Sequence, residues 1–181
     1  MKNLPPHLEN QFFRVLNKEI SIQDFEKWVY ETEELEHVLS SDNYLDLIAF
    51  NFKQPHVLYE LYKVLIEWIN IQKYETYKII YLLDLIICKD ESWKKAVYLL
   101  GGQYRNNDYY FLNNFFLIDD YIEYYDTEKS ADSIEHLFIA SIKEAIKIKD
   151  ELNLGKIVIK NQHKFEELEQ KYFDYRLEEE K

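Results

Sequence analysis

Apolar residues recur along most of this chain at the three- and four-residue spacing of helices buried on one side. Ile22, Phe25, Val29, Leu35, Val38 and Leu39 fall on one stripe, which turns Glu26, Glu33, Glu34 and Glu36 outward. Val57, Leu58, Leu61, Val64, Leu65 and Trp68 form a second core face. Within Tyr74–Cys88 the run from Ile79 to Ile87 leaves little polar surface, as suits a helix at the centre of a bundle. Local signals mark the ends. Ser21 with Asp24 resembles a capping box, Ser41 and Asp42 suit the start of Tyr44–Phe50, and Pro55 suits the first turn of a helix reaching Ile69. Asp90 can cap Trp93–Leu100, Gly101-Gly102 predicts a break there, and Gly155 predicts a stop for Ser133–Asn153.

With Tyr109–Tyr125 and a polar closing segment, Phe165–Leu177, the pattern predicts an all-α chain of about seven or eight helices. At most one short strand, at Lys156–Lys160, interrupts it. Short connections predict an antiparallel helical bundle or a short stack of helical pairs. No fixed-period repeat emerges, so the expectation is one helical domain over residues 1–181, with 178–181 frayed.

Composition narrows the class. Only three Gly and three Pro occur in 181 residues, too few turn formers for a sandwich or barrel, and 47% hydrophobic residues supply a sizeable core. No apolar run approaches the ~20 residues of a spanning helix. Met1–Asn10 is polar and holds Pro5 and Pro6, unlike a signal peptide. The one cysteine, Cys88, cannot form an intrachain disulfide, and its apolar neighbours predict a buried, inert thiol. A cytoplasmic protein without membrane attachment is expected.

The net charge of −12 is placed unevenly. Asp24–Asp46 holds eight acids and one base (Lys27), and Tyr104–Glu128 holds six acids and one base (Arg105), so these two windows carry the whole excess. Nucleic acid is a poor partner for such a chain; a basic protein is a good one.

Catalytic and metal motifs are absent or incomplete. Gly101-Gly102 lacks the spaced glycines of a phosphate loop, and neither paired cysteines nor His-x-x-x-His occurs. Glu34-x-x-His37 is half of a di-iron pattern, but no second Glu-x-x-His exists to complete it. No enzyme activity, metal or cofactor is expected. Asp84, the odd polar residue of its run, is expected either to pair with Lys78, Tyr81 or Lys89 or, by default, to mark a narrow exposed face.

The second acidic window also concentrates tyrosine. Six of the sixteen tyrosines (Tyr104, Tyr109, Tyr110, Tyr121, Tyr124, Tyr125) lie in it, beside Asp108, Asp119, Asp120, Glu123 and Asp126. Tyrosine combines a large contact area with a hydroxyl and few rotamers, which suits it to interfaces. The expected partner-binding set is Tyr104, Asp108, Tyr109, Tyr110, Asp119, Asp120, Glu123, Tyr124 and Asp126. Glu26, Glu33, Glu34 and Glu36 form a secondary acidic face.

The string Ile22-Gln23-Asp24-Phe25-Glu26-Lys27-Trp28-Val29-Tyr30, followed by Leu35-Glu36 and by Tyr44-Leu45-Asp46-Leu47-Ile48-Ala49-Phe50, resembles the opening helices of a known class. These are the small acidic immunity proteins encoded beside bacterial polymorphic or contact-dependent toxins. The resemblance covers about the first third of the chain. It implies a protein that neutralises a cognate basic toxin, such as a nuclease, by covering its active site or an adjacent surface. It transfers no residue roles. The alternative expectation is a helical scaffold or adaptor that recognises a cellular or phage component.

Overall fold

The computed structural model describes residues 4–107, 109–128, 131–159 and 173–174. The fold is all-α: α1 (Pro6–Leu16), α2 (Ile22–Glu31), α3 (Glu34–Val38), α4 (Ser41–Ile48), α5 (Val57–Leu65), α6 (Ile71–Ile87), α7 (Trp93–Asn107), α8 (Asn113–Glu128) and α9 (Ala131–Asn153). A 3-10 turn at Tyr110–Leu112 leads into α8. The strand expected near Lys156 forms as Ile157–Val158 and pairs antiparallel with Phe173–Asp174. The closing helix expected over Phe165–Leu177, and the frayed end at 178–181, otherwise fall outside the described residues. The chain gathers into two compact units, Met1–Tyr74 and Glu75–Lys181.

The first unit closes around Phe12. Its ring meets the edges or faces of Phe25, Trp28 and Trp68 at centroid distances of 6.0, 5.7 and 6.5 Å, the T-shaped range favoured by the ring quadrupole. Leu8, Phe25, Leu35, Leu47, Leu61 and Leu65 complete the core, each at most 1% exposed. One buried carboxylate joins distant segments: Glu9 accepts from the Asn70 amide at 3.1 Å and pairs with Lys73 at 2.9 Å, fixing the start of α6 against α1.

Local chemistry explains where the helices depart from the hydrophobic stripe. The stripe from Ile22 to Leu39 is continuous in sequence, yet α2 ends at Glu31. Thr32 donates its hydroxyl to the Trp28 carbonyl at 2.7 Å, and its backbone leaves the helical region. At the other end Ser21 caps as expected, accepting from the Asp24 amide at 3.0 Å. The cap of α4 is Ser40 rather than Ser41. Pro55 precedes α5 without entering it, because His56 adopts a left-handed φ of 55° and starts the helix one residue later.

In the second unit Ile79, Leu83 and Ile86 of α6 pack with Val97 and Leu100 of α7, Phe115 of α8 and Ile148 of α9. Asp84 does pair, and with a residue far along the chain: its carboxylate accepts from Lys149, tying α6 to α9. Cys88 is exposed just past the end of α6 at Ile87, which corrects the expected buried thiol: Ile86 carries the buried face of the last turn, and the chain leaves the helix at Cys88.

The expected break at Gly101-Gly102 is also corrected, since α7 runs through both glycines to Asn107. Gly101 is there for packing. A Cβ on it would stand 3.0 Å from the Phe116 Cα and 3.3 Å from the Phe116 nitrogen, so α7 and α8 approach backbone to backbone at this point. Gly102 faces open space, with nothing within 4 Å of a would-be Cβ. The two positions therefore respond in opposite directions to the same change. Gly101→Ala is expected to destabilise the protein by about 1–3 kcal/mol through overpacking. Gly102→Ala is expected to stabilise it by about 0.5–1 kcal/mol through helix propensity. Urea denaturation of the two variants checks this; equal effects at both positions would contradict the close approach.

Candidate partner-binding surface on α8

The residues of α8 divide into two apolar sets. Phe115, Ile118 and Ile122 point into the core at 0%, 9% and 6% exposure. Leu117, Tyr121 and Tyr124 point away from it, at 45%, 55% and 57%. Asp120 shares that outward side by its spacing of three from Leu117 and four from Tyr124, and Glu123 is exposed beside it.

The start of α8 is held by an aromatic and cationic contact with α7. Tyr104 stacks on Phe116 at 5.3 Å and meets Tyr110 edge-on at 6.2 Å. The Arg105 guanidinium lies 5.3 Å from the Phe116 ring centre and 5.8 Å from that of Tyr98, within range of the ring quadrupoles. It also reaches the Asp119 carboxylate at 4.0 Å. Burial raises the Asp119 pKa, Arg105 lowers it, and the neighbouring Asp120 and Glu123 charges raise it again, for a net rise. Asp119 thus faces α7 and serves the packing of this unit more than its exterior.

Of the expected binding set, Tyr110, Asp120, Glu123 and Tyr124 are each exposed, and Tyr104 is half-buried with its ring edge-on to Tyr110. Asp108 lies outside the described residues. Asp126 belongs to α8, and only its place in the helix is described.

Tyr109 is the correction. It is 2% exposed, with its ring stacked on Phe111 at 5.5 Å, so it belongs to the core. The connection between α7 and α8 is short, and the 3-10 turn rotates Tyr109 inward while Tyr110 turns out at 55%. Leu117 and Tyr121 are absent from the expected set, although their spacing with Tyr124 is legible as a second stripe.

The secondary acidic face lies in the first unit. Glu33, Glu34 and Glu36 are exposed and Glu26 is half-buried. Glu34 pairs with His7 at 2.8 Å and not with His37, so the Glu-x-x-His spacing brings no ligand pair together. Among the described residues no three His, Cys, Asp or Glu side chains gather as a metal ion requires, and no helix is long and apolar enough to cross a membrane. Two concavities, also in the first unit, are mostly apolar. One of about 530 Å³ is bordered by Leu16, Lys18, His56 and Tyr59, the other, of about 300 Å³, by Leu39, Asn43, Glu67 and Trp68. The chain matches no family model, no curated protein and no solved structure, so the functional reading rests on its own residues.

Burial gives Tyr109 a distinct pH response. Desolvation first, and the Glu75 charge second, raise its pKa above the ordinary 10.0. The folded state therefore holds the phenol proton more tightly than the unfolded chain does. Below pH about 10 both states are protonated and the contribution is complete; as pH rises further the unfolded chain ionises first and stability falls. Tyr109→Phe is expected to flatten this alkaline loss, measured by denaturant unfolding between about pH 8 and about pH 11. A wild-type stability that declines no faster than the variant's over that range would show that Tyr109 is not the responsible group.

Proposed function

We propose that this protein is an immunity-type inhibitor that binds and neutralises a basic protein toxin, with a nuclease the toxin type that best fits its charge. The observation that carries this reading is the joining of exposed aromatic and acidic groups on α8. Tyr121 and Tyr124 of the helix, with Tyr110 in the 3-10 turn that leads into it, offer contact area, and Asp120 and Glu123 offer charge; the helix itself contains no lysine or arginine. A nuclease must hold a polyanion, so its active-site surface is cationic and attracts a protein of net charge −12. The resemblance of the opening helices to immunity proteins agrees with this reading independently of the α8 surface.

Such a pair associates quickly because complementary charge steers the encounter, and tight binding rather than turnover gives the inhibition. The test is the protein encoded immediately upstream of this one. Producing it alone is expected to arrest growth, and producing both is expected to restore growth and yield a stable complex. The association rate should drop roughly tenfold or more between low and physiological salt, while dissociation changes little. A harmless upstream protein that forms no complex would remove the proposal. Capture of several unrelated partners, with none encoded nearby, would favour a scaffold or adaptor instead.

A further inference from the structure

We infer that α8 engages its partner as a helix laid in a groove, with Leu117, Tyr121 and Tyr124 as the inserted ridge and lysine or arginine on the groove's rim. This deepens the proposed function and rests on it. The positions follow the i, i+4, i+7 rule, so the three side chains form one row about 10 Å long over two turns. A helix packed on one side needs one apolar stripe, and α8 already has that in Phe115, Ile118 and Ile122. The core therefore does not account for a second row of large side chains standing 45–57% in solvent.

The charge around the ridge selects the occupant. Asn113–Glu128 contains Asp119, Asp120, Glu123, Asp126 and Glu128 and no basic residue. Asp120 sits on the ridge itself, between Leu117 and Tyr124, and Glu123 borders it. A second copy of this chain docked through the same row would bring carboxylates against carboxylates, which opposes association. A groove with an apolar floor and a cationic rim satisfies both features at once.

The experiment measures binding of the upstream-encoded protein to Leu117→Ala, Tyr121→Ala and Tyr124→Ala by surface plasmon resonance. Circular dichroism and thermal melting establish that each variant is folded before its binding is compared with wild type. Each substitution is expected to speed dissociation about 30-fold, equivalent to ~2 kcal/mol, as for a buried interface anchor. Asp120→Lys should instead mainly slow association. Ile139→Ala and Ile146→Ala, at exposed positions of α9, serve as controls and should bind like wild type.

A wild-type complex that is indifferent to all three ridge substitutions overturns the ridge and leaves the inhibitor reading standing. Failure of wild type itself to bind overturns both. Sedimentation of the free protein supplies the remaining arm: a dimer that Tyr121→Ala dissociates would make a second copy the occupant and overturn the basic groove.

Discussion

The arrangement of the second unit turns on one steric fact, the absence of a side chain at Gly101. Because nothing projects there, the backbone of α7 comes within van der Waals reach of Phe116, near the first turn of α8. This near approach lets Tyr104 stack on Phe116 and brings Arg105 between two rings and a carboxylate. With those contacts made, the rotation of α8 about its own axis is fixed. Phe115, Ile118 and Ile122 face the core, so Leu117, Tyr121 and Tyr124 face solvent. A helix turns about 100° per residue, so a one-residue error in that rotation would bury a different set.

The same fixed rotation divides the acidic groups into two roles. Asp119 is drawn toward Arg105 and is partly desolvated, which raises its pKa and makes its charge costly to keep. Asp120 and Glu123, one and four residues further along, lie on the exposed side of the helix. In the first unit Glu9 is buried but accepts from the Asn70 amide and pairs with Lys73, so its charge holds two segments together. Counting acids in a window therefore overstates the charge presented outward. Acids buried or turned against a neighbouring element act in the fold, and the exposed ones are displayed.

Much of the fold was legible in the sequence, because helix formation here rests on local periodicity and on short-range capping. The stripe of α5, the Ser21 cap of α2 and the Gly155 stop after α9 all depend on residues within a few positions of one another. The departures came where a local signal had two physical meanings. A glycine pair can end a helix or admit a close neighbour, and only the position of Phe116 decides between them. A tyrosine can anchor a partner or fill a core, and a single 3-10 turn sends Tyr109 inward and Tyr110 outward.

By itself, then, the sequence determined the helical class, most helix positions, the location of the excess charge and the coincidence of tyrosine with acid near α8. These are properties of spacing and composition, which survive without knowledge of any neighbour. The tertiary structure alone decided which aromatic residues are displayed, that the row of Leu117, Tyr121 and Tyr124 faces solvent, and that Asp119 and Glu9 are spent inside. Exposure depends on what packs against the other side of a helix, and that neighbour is set by contacts between residues far apart in the chain.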